Sequence, residues 1–183
     1  MNLREEQLEK EYIYNGKIIN VRRDTALLPN GATAFREVVE HPGGVCVAAL
    51  DSEDNLLFVK QFRYPYMEET LELPAGKRDR GTDEDPIVCG KRELKEETGA
   101  TAEFFMPLGT LYPTPGYCGE VIWMFFAKDL KFGDQCPDED EFLDVTKIPL
   151  SRAVDMVISG EIPDAKTQIA VLKVKLLRDR GEI

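Results

Sequence analysis

The sequence lacks several patterns, and each absence argues against a class of protein. Its four cysteines have no paired spacing of the zinc-binding type, so a structural zinc site is not expected. No stretch approaches the roughly 18 apolar residues of a membrane span, and the charged start lacks the apolar core of a signal peptide. No EF-hand spacing is present. We therefore expect a cytoplasmic protein with reduced thiols.

The chain also lacks an excess of positive charge, since 23 lysines and arginines face 34 aspartates and glutamates and the formal net charge is -11. A nucleic-acid groove needs a basic stripe, so DNA and RNA are not expected as partners. An anionic ligand would have to be bound by local arginines and metal ions. The only histidine, His41, lies at a predicted strand end and is interpreted as structural. A chain of 183 residues is long enough to bury its own core.

Residues 86–98 carry the signals of an α-helix. Asp85 is a good N-cap, Pro86 suits the first helical position, and Gly99 suits a left-handed residue after the last turn. At about 100° per residue, Ile87, Leu94 and Thr98 form a stripe that faces the core. The arc beside that stripe carries three carboxylates: Glu93, Glu96 and Glu97.

These carboxylates are not explained by helix formation. Glu93 and Glu97 are like-charged neighbours one turn apart, which is unfavourable unless a cation lies against them. Arg92 neutralises only part of this charge, by reaching Glu96. Mg²⁺ binds carboxylates, substrate phosphates and water, so a Mg²⁺ site, in which Mn²⁺ could substitute, accounts for the surplus. The alternative, from the helix alone, is a solvated acidic face.

Seven residues in and before this helix have the identities of a known motif: Gly76, Glu84, Arg92, Glu93, Glu96, Glu97 and Gly99. They resemble the Nudix box of the Nudix hydrolases. A chance match of the six residues from Glu84 to Gly99 has a probability of about 10⁻⁷ per window. The preceding loop differs, since seven residues instead of five separate Gly76 from Glu84. We interpret Thr82 and Asp83 as a two-residue insertion, which loops tolerate.

The N-terminal part alternates in hydrophobicity and has two turn signals, Asn15-Gly16 and residues 29–31. It predicts a small antiparallel β unit, preceded by a frayed segment or a short helix over residues 1–10. Such a unit has little core of its own and is a candidate dimerisation element. The expected domains are residues 1–42 for this unit and residues 43–183 for the main domain.

Apolar runs at residues 44–50 and 55–62 predict two core strands joined by a hairpin. Further strands are expected at residues 70–76, 101–112, 120–128 and 142–148, and helices at residues 149–159 and 164–180. The last helix is expected to bury a stripe of Ile169, Leu172 and Leu176.

Polar groups outside the helix suggest a ligand pocket. Arg36 and Arg63 lie in otherwise apolar or alternating strands, where guanidinium groups suit two-pronged phosphate or carboxylate contacts; the alternative is that they face solvent. Pro115 belongs to a loop rich in proline and glycine that suits a pocket wall. Residues 134–141 are an acidic loop, which is either a solvated cluster or a source of carboxylates for a metal-bound substrate.

The likeness extends over most of the chain. Matching segments are residues 36–43, 59–63, 71–76, 114–116, 138–141 and 164–167. They resemble the ADP-ribose pyrophosphatase branch of the Nudix hydrolases, and Pro115 resembles the proline that marks ADP-ribose hydrolases in the family. The resemblance implies an α/β fold, an α/β/α sandwich with a mixed sheet, in addition to the N-terminal β unit.

The resemblance also implies roles for individual residues. The implied metal ligands are Glu93, Glu97, Glu141 and the backbone carbonyl of Ala75, with Glu96 acting through metal or water. The implied general base is Glu139, and the implied substrate contacts are Arg36, Arg63, Glu120 and Pro115. The implied assembly is a homodimer that exchanges the N-terminal β unit. The implied reaction is Mg²⁺-dependent hydrolysis of ADP-ribose to AMP and ribose 5-phosphate.

Three other functions remain open at this level. The first is hydrolysis of another nucleoside diphosphate derivative, such as a nucleotide sugar or a dinucleotide. The second is a non-catalytic ADP-ribose sensor, against which the intact Glu93, Glu96 and Glu97 argue. The third is a calcium-stabilised acidic binding protein, for which EF-hand spacing is missing.

Overall fold

A computed structural model describes residues 2–78, 84–138 and 141–183. The chain divides into two compact units. The first comprises Met1–Gly43 and Tyr112–Val121, and the second comprises Gly44–Leu111 and Ile122–Ile183. In the described residues, no helix is both long and apolar enough to cross a membrane.

The first unit is an antiparallel sheet of three strands, in the order β1-β2-β3: β1 (Glu6–Asn15), β2 (Asn20–Leu27) and β3 (Thr33–Glu40). Both predicted turns are confirmed, and Gly31 adopts a φ of 83° in the second. The prediction of a frayed segment or helix over residues 1–10 is wrong. The long β1 begins at Glu6, which pairs with Leu27 of β2, and its pairing with β2 is interrupted by register shifts at Leu8 and Ile13.

This first unit buries almost no apolar surface within itself. Every residue of β1 is exposed, and Phe35 on β3 is 68% exposed. Among the described residues of the unit, Ala26 is the only apolar side chain that is buried. Isolated sheets of this size are marginally stable without further packing, so the unit has an apolar surface that its own residues do not cover.

The second unit contains a mixed four-stranded sheet, in the order β7-β4-β9-β8: β4 (Gly44–Ala49), β7 (Ala75–Lys77), β8 (Ala100–Leu111) and β9 (Ile122–Phe132). The central pair, β4 and β9, is parallel, and the two outer pairs are antiparallel. Every residue of β4 is buried. A strand covered on both faces reads as a continuous apolar run, which explains the pattern at residues 44–50.

Helices cover both faces of this mixed sheet: α1 (Pro86–Thr98), α2 (Leu150–Ser159) and α3 (Ala165–Asp179). One face of β4, which includes Cys46 and Ala48, belongs to a core cluster with α2 and α3. The opposite face, which includes Val45 and Val47, belongs to a cluster with α1. The second unit is therefore an α/β/α arrangement, as the sequence predicted.

A second, antiparallel sheet has the order β10-β5-β6: β5 (Asn55–Arg63), β6 (Glu68–Glu72) and β10 (Leu143–Pro149). The predicted hairpin between the strands at residues 44–50 and 55–62 is wrong. Only an isolated bridge joins Leu50 to Leu56, and the two strands enter different sheets. Hydrophobicity predicts that a strand is buried but does not identify its pairing partner.

The buried stripe of α3 also differs from the prediction. Thr167, Ala170, Val171 and Val174 are buried, whereas Leu176 is 56% exposed. Small residues face inward because they allow the helix to approach the sheet closely, and the larger leucine is displaced to the edge. Cys46 and Cys89 are buried and free, and each packs in one of the two core clusters. Burial raises the pKa of each thiol to about 12.

Candidate active site

The helix α1 begins and ends where the sequence predicted. The Asp85 side chain accepts a hydrogen bond from the Ile87 N–H at 2.9 Å, and Pro86 occupies the first turn. Gly99 adopts a φ of 70° and donates its N–H to the Lys95 carbonyl at 2.8 Å. Capping at both ends fixes the helix in register with the strands on either side.

Two of the three helix carboxylates are buried, in contrast to their predicted place on an arc beside the core. Glu93 is 6% exposed and Glu97 is 2% exposed, although Glu96 keeps a partly exposed side chain. The core-facing surface of α1 is therefore wider than the apolar residues alone suggested. A buried carboxylate is unfavourable unless it has hydrogen-bond donors or a cation close by.

Gly76 creates the space for one of these carboxylates. A Cβ atom added at this position would lie 2.0 Å from Glu93 Cδ and 2.2 Å from Glu93 Oε2. Only a residue without a side chain allows the Glu93 carboxylate to lie against the backbone of β7. This close approach gives a physical reason for glycine at the start of the motif.

Arg92 links the carboxylates around it. Its Nη1 lies 2.8 Å from Glu93 Oε1 and 2.8 Å from Glu96 Oε2, and its Nε lies 3.3 Å from Glu84 Oε1. The predicted contact with Glu96 is therefore present. The guanidinium connects the loop before α1 to the acidic face of the helix, which suits a structural role for Arg92 and Glu84.

Among the described residues no cation forms a salt bridge with Glu97, and Arg63 acts on it only through its charge. Burial raises the pKa of its carboxyl to about 8, although the Ala75 N–H, which donates to Oε2 at 2.9 Å, acts in the opposite direction. Burial likewise raises the pKa of Glu93 to about 7, despite Arg92. The negative charge of Glu141 contributes to both shifts. Ionisation of both carboxyls near neutral pH therefore needs more positive charge than the described residues place beside them.

The chemistry of these donors fits a hard divalent cation, which prefers carboxylate oxygens. Among the residues that the structure describes, no three acidic, histidine or cysteine side chains converge closely enough to hold an ion. Arg92 binds the Glu93 carboxylate, and the Ala75 N–H binds that of Glu97. A cation would therefore have to displace or share these partners, and its positive charge would stabilise the ionised carboxylates.

The acidic loop is fastened to the C-terminal end of α1. The Gln135 side chain donates to the Glu97 carbonyl at 2.5 Å, and the Cys136 N–H donates to the Glu96 carbonyl at 2.9 Å. These bonds satisfy carbonyls that a helix end leaves without partners. No pattern near Gln135 predicts this contact. Glu139, the expected base, and the insertion at Thr82 and Asp83 lie outside the described residues.

Arg63 is held by a carboxylate that sequence reasoning missed. Its Nε and Nη2 lie 2.6 and 2.5 Å from the two oxygens of Glu72, which also accepts from Thr70 Oγ1 at 2.6 Å and from Lys166 Nζ at 2.5 Å. Burial opposes ionisation of Glu72, but Arg63 and Lys166 outweigh it and lower its pKa to about 2. Glu72 and Lys166 belong to the matching segments, yet their charges gave no hint that they meet.

The ion pairs of Glu72 with Arg63 and Lys166 predict that the unfolding free energy falls in acid. Its folded-state pKa of about 2 lies below the ordinary value of 4.5, so the stabilisation is present above pH 4.5 and is lost as the pH falls towards 2. Urea unfolding across this range should therefore show a steeper fall in the unfolding free energy for the native protein than for Glu72→Gln. Glu69→Gln, an exposed change on the same strand, should retain the steep fall. Parallel curves for the native protein and Glu72→Gln would refute this assignment.

The remaining candidates lie in the first unit. Arg36 forms a two-pronged contact with Glu5, with Nε at 2.8 Å and Nη2 at 2.6 Å from its oxygens. Glu120 Oε1 lies 3.3 Å from His41 Nδ1, which also accepts the Gly43 N–H at 3.1 Å. Pro115 lies in the loop of residues 112–121. The second unit thus brings together Arg63, the helix carboxylates and Glu141, while the first unit carries the other expected substrate contacts.

Comparisons with known proteins identify families and relatives that the chain resembles. A family model described as NUDIX domain matches residues 40–167, and one described as nucleoside diphosphate sugar hydrolase N-terminal domain matches residues 5–39. The ADP-ribose pyrophosphatase of Bacillus subtilis (strain 168) is 39% identical over 177 residues, covering 96% of this chain and 95% of the relative. The methanol dehydrogenase activator of Bacillus methanolicus is 38% identical over 174 residues, covering 94% of this chain and 93% of the relative.

A solved structure shares the fold over its full length. A crystal structure of an ADP compounds hydrolase has a TM-score of 0.85 and 22% identity, and the match covers 100% of both chains. This likeness confirms the predicted fold class. Together with the domain match over residues 40–167, it shows that the chain belongs to the Nudix family.

Proposed function

We propose that this protein hydrolyses ADP-ribose to AMP and ribose 5-phosphate with Mg²⁺. The observation that carries the proposal is the buried pair of Glu93 and Glu97 against Gly76 and Ala75, whose ionisation a bound cation would favour. The similarity to an ADP-ribose pyrophosphatase over 96% of the chain supports this substrate.

The reaction needs positioned water and neutralised phosphates. One water adds to a phosphorus atom, the bridging P–O bond breaks, and the proton of the water is taken up by a base. When bound, Mg²⁺ would lower the pKa of water and offset charge on the phosphate oxygens. Glu93, Glu97, Glu141 and the Ala75 carbonyl would hold it, with Glu96 acting directly or through water.

The remaining residues bind substrate and accept the proton. Arg63 and Arg36 would contact the phosphates or the terminal ribose, Glu120 would accept a hydrogen bond from a ribose hydroxyl, and Pro115 would form part of the pocket wall. In this assignment Arg36 exchanges its contact with Glu5 for one with substrate.

The first unit is proposed to dimerise. Its exposed β1 and the 68% exposed Phe35 supply an apolar surface that a second copy of the chain would cover. The dimerisation unit would span residues 1–42 and the Nudix domain residues 43–183. Sedimentation equilibrium should then give twice the mass of the 20.7 kDa chain.

Glu139 is proposed as the general base. We expect Glu139→Gln to lower kcat by about 100-fold, because a positioned base contributes at least about that factor, while substrate binding changes little. Single-turnover rates and equilibrium titration with substrate measure the two effects separately. A loss of binding with an unchanged single-turnover rate would contradict the role.

The products test the proposed reaction directly. Incubation with ADP-ribose and Mg²⁺ should yield equal amounts of AMP and ribose 5-phosphate by anion-exchange chromatography, and EDTA should abolish both. The appearance of ADP and free ribose would show cleavage at a different bond and would refute the proposal.

A second candidate is a pyrophosphatase for another nucleoside diphosphate sugar. The match of residues 5–39 to a nucleoside diphosphate sugar hydrolase N-terminal domain favours it. The helix carboxylates would serve either substrate, because they act on the diphosphate, so the choice between the two depends on the pocket around the sugar and the base.

A further inference from the structure

The start of α3 carries a motif with no role in the proposed mechanism so far. Residues 164–167 contain an aspartate, a lysine and a threonine, and they lie against the strand β6 and the residue after it. The contacts join parts of the chain 94 residues apart. Lys166 is 11% exposed and its partner Glu72 is 2% exposed, and charged groups so poorly exposed are unusual unless they are paired.

Lys166 is the central group of this contact. Its side chain is 11% exposed, and its Nζ lies 2.5 Å from Glu72 Oε2 and 3.0 Å from Asp164 Oδ1. Glu72 is itself 2% exposed. The ammonium group therefore lies between two carboxylates in a region with little water.

Neighbouring bonds hold Lys166 in place. Thr167 Oγ1 accepts the Leu73 N–H at 2.9 Å, and the Asp164 side chain caps the helix by accepting the Thr167 N–H at 3.0 Å. The first turn of α3 is thereby attached to the segment that follows Glu72. This attachment leaves Lys166 little freedom to move away from the carboxylate.

The arrangement satisfies both oxygens of Glu72. Oε1 accepts from Arg63 Nε and Thr70 Oγ1, whereas Oε2 accepts from Arg63 Nη2 and Lys166 Nζ. With two donors on each oxygen, the plane of the carboxylate is fixed, and a fixed carboxylate orients the planar guanidinium that binds it in two places. Without Lys166, Oε2 would keep only Arg63 as its partner.

Lys166 also balances the charge of this cluster. Arg63 and Lys166 carry two positive charges, which balance those of Glu72 and Asp164. Removal of Lys166 would leave a net negative charge beside Arg63, close to the carboxylates of α1. A diphosphate would then approach a negative rather than a neutral cluster.

We infer that Lys166 is a positioning residue for substrate binding: through Glu72 it orients Arg63 and leaves the charge of that guanidinium available for the diphosphate. This inference rests on the proposed function, which assigns Arg63 to the substrate. Lys166 itself contacts neither substrate nor metal.

A double-mutant cycle tests the coupling. We expect Lys166→Met to raise the KM for ADP-ribose about tenfold with kcat changed less than about threefold, since residues in one ionic network couple strongly. In the background of Arg63→Met, the same change should alter KM by less than about twofold. An equal factor in both backgrounds would overturn the inference.

A second variant tests whether a loss of stability alone explains the higher KM of Lys166→Met. Val174→Ala opens a cavity in the same helix without touching the network, so it should lower Tm and leave KM unchanged. A KM as high as that of Lys166→Met would show that stability alone explains the effect. If Lys166→Met does not fold, Lys166→Gln, which keeps a donor without charge, should show the same dependence on Arg63.

A spectroscopic readout separates this inference from the proposed activity. The Nε–H of Arg63 is bonded to Glu72, so its ¹⁵N–¹H NMR signal, identified by its loss in Arg63→Met, should exchange slowly with water. We expect Lys166→Met to accelerate that exchange and Val174→Ala to leave it unchanged. An unchanged signal in Lys166→Met would overturn the inference even if ADP-ribose is the substrate. Conversely, accelerated exchange would support it even if the native protein prefers another diphosphate.

Discussion

We expect Glu97→Gln to lower kcat for ADP-ribose by about 10³-fold or more while the fold is retained. Metal-ion catalysis supplies several kcal/mol of charge stabilisation, and every 1.4 kcal/mol or so corresponds to a factor of ten in rate. Glutamine keeps the shape of the side chain and can still accept the Ala75 N–H through its amide oxygen. It removes the negative charge that a cation needs. The fold should therefore survive although turnover is lost.

Glu103→Gln is the matched control, because Glu103 lies on an exposed part of β8 where it pairs with Lys131. It should keep native turnover. Thermal unfolding with and without Mg²⁺ adds a readout that does not depend on activity, since an ion that binds only the folded state raises Tm. Mg²⁺ should raise the Tm of the native protein more than that of Glu97→Gln. Activity of Glu97→Gln within tenfold of native would refute its assignment as a ligand.

The second large effect is expected for Gly76→Ala. The added methyl group would overlap the Glu93 carboxylate, with its Cβ 2.0 Å from Cδ. The end of a glutamate side chain moves easily, so the fold should absorb the change at little cost in stability. The carboxylate itself would be displaced from its place beside Glu97. We expect kcat to fall by at least about 100-fold, the scale expected for a catalytic group misplaced by about 1 Å.

Gly160→Ala should have the opposite effects, a loss of stability with unchanged turnover. Gly160 ends α2 with a φ of 83° and has open space around it. Alanine in this conformation should lower the unfolding free energy by about 1 kcal/mol without affecting turnover. Steady-state kinetics and urea unfolding of both variants therefore separate catalytic geometry from stability. Native kcat in Gly76→Ala would show that the position of Glu93 is not needed.

Local signals in the sequence predicted local structure well. Asp85, Pro86 and Gly99 located both ends of α1, because capping depends on residues within one turn of the helix end. The turns at Gly16 and Gly31 were likewise recognised from adjacent residues. The apolar run at residues 44–50 predicted a core strand, and the structure buries every residue of β4 between helices on its two faces.

Interactions between distant segments could not be predicted in the same way. The pairing of β5 with β10, rather than with β4, depends on how the whole chain packs. Lys166 and Glu72 lie 94 residues apart, and nothing near either one indicates the other. The three carboxylates of α1 were recognised, but the burial of Glu93 and Glu97 became visible only when Gly76 was placed against them. The sequence therefore predicted a metal site on α1, whereas the structure showed what positions the carboxylates.

The substrate ranking tests the central claim most directly. It compares kcat/KM with Mg²⁺ for ADP-ribose, ADP-glucose, GDP-mannose, diadenosine polyphosphates and NADH, measured with one preparation of the native protein. The proposed function predicts that ADP-ribose has the highest value by at least about tenfold. A higher value for GDP-mannose or any other member of the panel, or no hydrolysis of ADP-ribose, would contradict it.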